Sequence, residues 1–258
     1  MVEESATTLR RGLAVLFALG DAGASEPAGL GVVRIAELMG EDKSQISRSL
    51  KALAGSGLVE RDPETRRYRL GWRLFALAAQ AGDPRLLAAA SPVVDELVEA
   101  LGETAHLSVL RGTDVLTVLS TSPTRTLQGA SWVGHTVPAY ASSAGRALLL
   151  DFGLEELERL FSDTEFSRLG PNTPRGATDL FERVRAASRS GYAIVDEELE
   201  PGLVGLGAPV RDFRGGVVAA LNISAPRFRL EGRLEVAGTA IAKAALSVSE
   251  ELGYRPPS

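Results

Sequence analysis

A chain of 258 residues with 45% hydrophobic and 24% charged content can form about two ordinary folded domains. A formal net charge of −5 excludes a blanket polyanion binder. The lack of cysteine excludes disulfides, thiolate catalysis and most structural zinc sites, and two histidines are too few for a histidine-rich metal site. No run is apolar for long enough to span a bilayer and no signal pattern precedes the first periodic segment, so a cytoplasmic protein without membrane contact is expected.

Leu9, Leu13, Leu16 and Phe17 recur at helical spacing and predict an amphipathic helix that completes a small core and offers a dimerisation surface. A Gly/Ala/Pro-rich loop follows from Gly20 to Gly31. In the next helix Ile35, Leu38 and Met39 share a face, and Gly40-Glu41 breaks it. Asp42-Lys43-Ser44-Gln45 then supplies an N-cap with a glutamine three residues on, so a further helix starts at Lys43. Along it Ile46, Leu50 and Leu53 must face inward, leaving Lys43, Ser44, Gln45, Ser47, Arg48 and Lys51 outside. After Gly55-Ser56-Gly57 the period becomes two. Val59, Tyr68 and Leu70 alternate with Arg61, Arg67 and Arg69 around the turn Asp62-Pro63-Glu64-Thr65, a half-buried hairpin with a basic outer side.

Helix, turn, helix and basic hairpin in this order predict a winged helix-turn-helix on duplex DNA. The outer face of the helix from Lys43 suits the major groove, where Gln pairs with adenine, Arg with guanine and Ser with either. The arginines of the wing would meet phosphates or the minor groove. Residues 43–73 carry eight Lys or Arg against three Asp or Glu, a net of +5, while residues 83–258 carry 17 against 23, a net of −6. Only one end of the chain is drawn to phosphate. One winged domain reads few base pairs, so a two-fold dimer on an inverted-repeat operator is expected, with contacts on the first helix and near Trp72 and Phe75.

Trp72 to Ala81 predicts a linker helix ending at Gly82-Asp83-Pro84, which gives a DNA-binding domain over 1–71, a linker over 72–83 and a second domain over 84–258. A short helix from Leu86 to Ala90 is followed by one opened by Ser91-Pro92, with Val93, Val94, Leu97, Val98 and Leu101 inward. Strands are predicted over His106–Leu110 and Val115–Leu119, joined by Arg111-Gly112-Thr113-Asp114, and over Tyr192–Leu199, Val204–Val210 and Val217–Ser224. Asp212-Phe213-Arg214-Gly215-Gly216 closes the last pair. Helices are predicted from Ser142 to Asp151, Leu154 to Phe161 and Thr178 to Ser190. A final one has Leu234, Ala237, Ile241, Ala245, Val248 and Leu252 on one face. The fold class is α+β, an antiparallel sheet with segregated helices.

No constellation points to catalysis. Asp196-Glu197-Glu198 are adjacent in a strand, hence on opposite faces, and lack a partner nucleophile. Gly205-Leu206-Gly207 lacks the third glycine of a dinucleotide loop, and no nucleophile elbow surrounds Ser131, Ser142 or Ser143. Trp132 and Phe213 read as packing or interface residues. Two classes of function remain, a ligand-responsive transcription factor and a small-molecule enzyme carrying a winged helix as a structural module. The basic surface and the missing catalytic groups favour the first.

The stretches Val137-Pro138-Ala139-Tyr140-Ala141-Ser142-Ser143-Ala144-Gly145-Arg146-Ala147-Leu148-Leu149, Gly191-Tyr192-Ala193-Ile194-Val195-Asp196-Glu197-Glu198-Leu199-Glu200-Pro201-Gly202, Ala208-Pro209-Val210 and Asn222-Ile223-Ser224-Ala225-Pro226 together resemble the IclR family of bacterial transcriptional regulators. The resemblance covers nearly the whole chain. It implies a winged helix-turn-helix joined to a GAF-like effector domain, and a regulator of a catabolic operon that acts as a homodimer or dimer of dimers without catalytic residue, cofactor or metal. The chain departs from the family's common residues at Tyr140 (His), Arg146 (Lys) and Val195 (often acidic or polar), which bears on the ligand and not on the fold.

Carried over by position, the resemblance implies an effector lining of Val137, Ser143, Ala144, Val195, Leu203, Gly205, Asn222 and Ser224. Ser143 and Ala144 fall in the first turn of a helix, which favours an anion. Asn222 and Ser224, two apart on a strand, share a face and offer neutral donors and acceptors. Val137, Val195 and Leu203 form an apolar wall, and a small organic acid suits the mixture.

Overall fold

The computed structural model describes residues 2–23, 26–81, 83–123 and 132–256, with residues 2–6 and 78–81 described by backbone alone. Gly82, Ser131 and residues 24 and 25 of the glycine-rich loop lie outside the described residues. Two compact units emerge, Met1–Pro84 and Arg85–Ser258.

In the first unit, α1 (Val2–Ala22), α2 (Val32–Met39) and α3 (Lys43–Gly55) precede the hairpin β1 (Val59–Arg61) and β2 (Tyr68–Leu70), and α4 (Trp72–Ala81) follows. Gly40 ends α2 at φ 62°, a left-handed cap that glycine adopts without strain. Asp42 Oδ1 accepts the Ser44 N–H at 2.8 Å and opens α3. The hairpin turn is tied by Asp62 Oδ1, which accepts from Thr65 N at 2.7 Å and Glu64 N at 3.0 Å. Those donors, the Thr65 backbone first, hold the Asp62 carboxyl below the usual range.

The core of this unit joins Val15, Leu19, Leu30, Ile35, Ile46, Leu50, Val59 and Tyr68. The predicted inward stripe of α1 is corrected: Leu9, Leu13 and Phe17 are exposed, Leu16 is half-buried, and Val15 and Leu19 fill the core instead. Both stripes have i, i+4 spacing, and periodicity alone does not say which one meets α2 and α3. Leu38 and Leu70, expected inside, are also exposed.

The second unit contains α5 (Pro84–Leu101), β3 (Thr104–Arg111), β4 (Asp114–Thr121), β5 (Thr136–Pro138), α6 (Ser143–Leu148), α7 (Leu154–Leu160), α8 (Ala177–Ser190), β6 (Ala193–Asp196), β7 (Leu203–Arg211), β8 (Val217–Pro226), α9 (Arg227–Leu230) and α10 (Leu234–Glu251). Six antiparallel strands run in the order β5-β4-β3-β8-β7-β6. Where two helices were expected before the sheet there is one, with Pro92 inside it. Leu86, Ala90, Val94, Leu97, Val98 and Leu101 remain on one buried stripe across the proline, and that packing outweighs a lost backbone bond. The strand predicted to reach Leu199 stops at Asp196, because Glu197 turns the chain at φ 55°. The short β5 and α9 were not expected, since three or four residues carry no period.

The sheet has two chemically different faces. Behind it Ala105, Leu107, Val109, Val204, Leu206, Leu221 and Ile223 pack with α5 and α10 in an apolar core. In front, the alternate residues Thr104, His106, Ser108, Asn222 and Ser224 face a cavity closed by the start of α6. Gly205 and Gly207 let that helix approach: a Cβ on Gly207 would strike the Ser143 carbonyl, and one on Gly205 would lie 2.8 Å from Ser143 Oγ.

Candidate nucleic-acid interface and ligand cavity

On α3, Ile46, Ser49 and Leu50 are buried. Lys43, Ser44, Ser47, Arg48 and Lys51 are exposed and Gln45 is half-buried, so all six stand on or beside one outward face. The predicted arginines of the wing are exposed too, but each has a partner within its own unit. The Arg61 guanidinium lies 5.5 Å from the Tyr68 ring centroid. Arg67 Nη1 donates to the Gly29 carbonyl at 3.0 Å and lies 3.6 Å from Glu26. Arg69 Nη2 is 3.1 Å from Glu60 Oε2, directly across the hairpin. Arg66, at the turn with φ 57°, is exposed and was missed. Its place just after the Asp62–Thr65 turn was the available signal.

The cavity in the second unit measures about 260 Å³, and all eight predicted residues line it: Val137, Ser143, Ala144, Val195, Leu203, Gly205, Asn222 and Ser224. Sequence reasoning missed Thr104, His106, Ser108, Thr117, Trp132, Ser142, Leu199 and Glu200, which line it as well. Strand pairing explains the first two, because β3 sets Thr104 opposite Ser224 and His106 opposite Asn222. Trp132, expected to be a packing or interface residue, is half exposed at the cavity, with its ring 6.2 Å from that of His106.

Polar groups of the cavity are tied to one another. Ser108 Oγ donates to Asn222 Oδ1 at 3.0 Å, and His106 Nδ1 lies 3.0 Å from Ser120 Oγ. Burial pulls the His106 imidazole down to about 4, so the ring is neutral at neutral pH. Ser142, not Ser143, caps α6, its Oγ accepting the Gly145 N–H at 3.1 Å. Of the three departures from the family pattern, only Val195 lines the cavity. Tyr140 packs 4.6 Å from the Phe166 ring. Arg146 is buried against Glu198, which also lies 3.0 Å from Arg183. Glu198 is thereby a structural carboxylate that fixes the start of the loop carrying Leu199 and Glu200.

Two family models match this architecture: the IclR helix-turn-helix domain over residues 8–63, and the bacterial transcriptional regulator IclR C-terminal domain over residues 80–250. The chain belongs to the IclR family. This IclR regulator is 28% identical over 257 residues to the HTH-type transcriptional repressor AllR of Salmonella typhimurium, spanning 99% of this chain and 93% of AllR. Its fold matches the crystal structure of Thermotoga maritima IclR with a TM-score of 0.76 at 24% identity, over 96% of this chain and 99% of that one. It matches an IclR homolog complexed with 4-hydroxybenzoate from Microbacterium hydrocarbonoxydans with a TM-score of 0.74 at 25% identity, over 95% and 98%. The chain is a DNA-binding transcriptional regulator, and the reading as an enzyme is set aside. No helix among the described residues is long and apolar enough to cross a membrane.

Proposed function

We propose that this IclR regulator is a cytoplasmic repressor of a catabolic operon, that it reads an inverted-repeat operator as a homodimer or dimer of dimers, and that a small carboxylic acid in the front-face cavity releases it. One observation carries the effector site: alternate residues of strands that bury an apolar core behind the sheet are polar in front of it, where they line the cavity. Polar groups on a sheet face weaken a core, and a ligand that pairs with them gives a reason for their presence. The 4-hydroxybenzoate in the Microbacterium homolog supports an organic acid.

On DNA, Gln45, Arg48, Ser44 and Ser47 of α3 read base edges, while Lys43, Lys51, Arg61, Arg66, Arg67 and Arg69 meet phosphates. Exposed apolar side chains support the dimer: Phe17 is 70% exposed on α1, and Trp72 and Phe75 are 74% and 68% exposed on α4. An effector that lowers operator affinity tenfold must bind the DNA complex tenfold more weakly, about 1.4 kcal/mol of coupling.

The test is Asn222→Leu. A thermal-shift screen of monocarboxylates that includes 4-hydroxybenzoate supplies the ligand, and operator binding with and without that acid is followed by fluorescence anisotropy. The variant should bind operator normally and no longer release it. Release unchanged in the variant would place the effector elsewhere.

A further inference from the structure

A carboxylate would meet an unusual electrostatic setting in this cavity. Among the described lining residues there is no lysine or arginine, and the one formal charge is the exposed Glu200 carboxylate. An anion taken out of water without a countercharge is strongly disfavoured. One lining side chain can become a cation. His106 is only 6% exposed on the front face, and with Nδ1 engaged by Ser120 Oγ its Nε2 is the ring nitrogen left for a ligand. Among the described residues no hydrogen bond to Nε2 is found.

The groups around this ring are nearly all uncharged. β4 presents Ser120 and Thr117, and β8 presents Asn222 and Ser224. Ahead of β5 stands Trp132, with His135 beyond it at 5.6 Å from the Trp132 ring. The loop between β6 and β7 brings Glu200 to the same cavity, and its negative sign favours an imidazolium.

We propose that His106 is a conditional cation: neutral on its own, it takes up one proton from solvent when a monocarboxylate docks at Nε2, so that effector binding and protonation are a single event. This rests on the carboxylate reading of the cavity. Burial alone holds the ring neutral. A carboxylate at hydrogen-bonding distance from a ring that is itself buried reverses the balance, because opposite charges attract most strongly where water is excluded. One histidine supplies one countercharge. The ligand class is accordingly monocarboxylates, since a second carboxylate would be buried unpaired. Linkage then requires affinity to fall about tenfold for each unit of rising pH between the free-ring midpoint near 4 and the midpoint of the complex, and to level off above it.

Binding of the neutral acid would give the same pH slope with an uncharged ring, so the ring itself must be observed. The full chain, with its two histidines, is titrated from pH 5 to 8 by nitrogen-15 NMR of the side chains. Exposed His135 serves as internal reference and H106Q provides the assignment. Probes are benzoate and acetate against their amides, benzamide and acetamide, and calorimetry at pH 6 in phosphate and in MES buffer counts protons. The expected result is that a carboxylate raises the His106 midpoint from about 4 to about 7 or above with about one proton taken up at pH 6, that the amides do neither, and that H106Q loses both the uptake and at least about tenfold in carboxylate affinity. A carboxylate that binds while the His106 ring stays neutral, or H106Q that still takes up the proton, overturns the proposal and leaves the cavity as the effector site. If neither carboxylate binds, whether or not the amides do, the carboxylate reading falls and this proposal with it.

Discussion

The two faces of the six-stranded sheet are made by neighbouring residues of the same strands, yet one is a core and the other a binding surface. Ala105 and Leu107 lie in the apolar layer under α5 and α10, while His106 and Ser108 line the cavity. On β8, Leu221 and Ile223 pack behind, and Asn222 and Ser224 stand in front. Stability is concentrated in one set of positions and recognition in the other, and substitution can separate them. Leu107→Ala should destabilise the second unit by about 2–5 kcal/mol, since it opens a hole in a fully buried layer. Asn222→Leu, on the opposite face, opens no hole but leaves the buried Ser108 hydroxyl without its acceptor, and should cost less, about 1–3 kcal/mol, while removing the ligand response. Equal losses in urea unfolding would mean that the front face is also a core.

The contrast was only half legible in the sequence. Alternation placed Asn222 and Ser224 on one face, but the matching face of β3 emerges only when the antiparallel register sets His106 opposite Asn222. A period of two gives each strand two sides without saying which meets a helix. The same ambiguity misassigned α1, where the stripe with Val15 and Leu19 and the stripe with Leu9, Leu13 and Phe17 fit a helix equally well. Caps and turns were legible, because Asp42 and Asp62 act on backbone within three residues. The buried pairing of Arg146 with Glu198, 52 residues away, was not.

Acid should sharpen the comparison next. His106 has its folded midpoint depressed to about 4 from an ordinary 6.5. Between those values the unfolded chain binds more protons, so stability rises with pH across this window and is lost as pH falls through it. The loss approaches about 3 kcal/mol by pH 4. H106Q should flatten this part of the pH–stability profile measured by chemical denaturation, and a parallel profile in the variant would show that burial of the ring does not set it.

A smaller effect is expected on DNA, where the same distinction between satisfied and available groups separates α3 from the wing. Arg48 makes no ion pair within 4 Å among the described residues and stands exposed on α3. Arg48→Ala should cost about 1–3 kcal/mol on the operator and less on random duplex. Arg69 is already held by Glu60 at 3.1 Å, so a phosphate must displace a carboxylate to gain it. Arg69→Ala should therefore weaken all duplexes alike, by less than the Arg48 change, and lower the salt slope by at most about one. Glu60→Gln provides the opposite arm. It keeps the hairpin's size and removes the competing charge, so duplex affinity should rise for operator and random DNA together, and the rise should vanish when Arg69 is also replaced. Anisotropy titrations over a range of salt concentrations decide it: a Glu60→Gln gain that persists in the Arg69→Ala background would mean that Glu60 acts by repelling DNA on its own, and not by occupying the arginine.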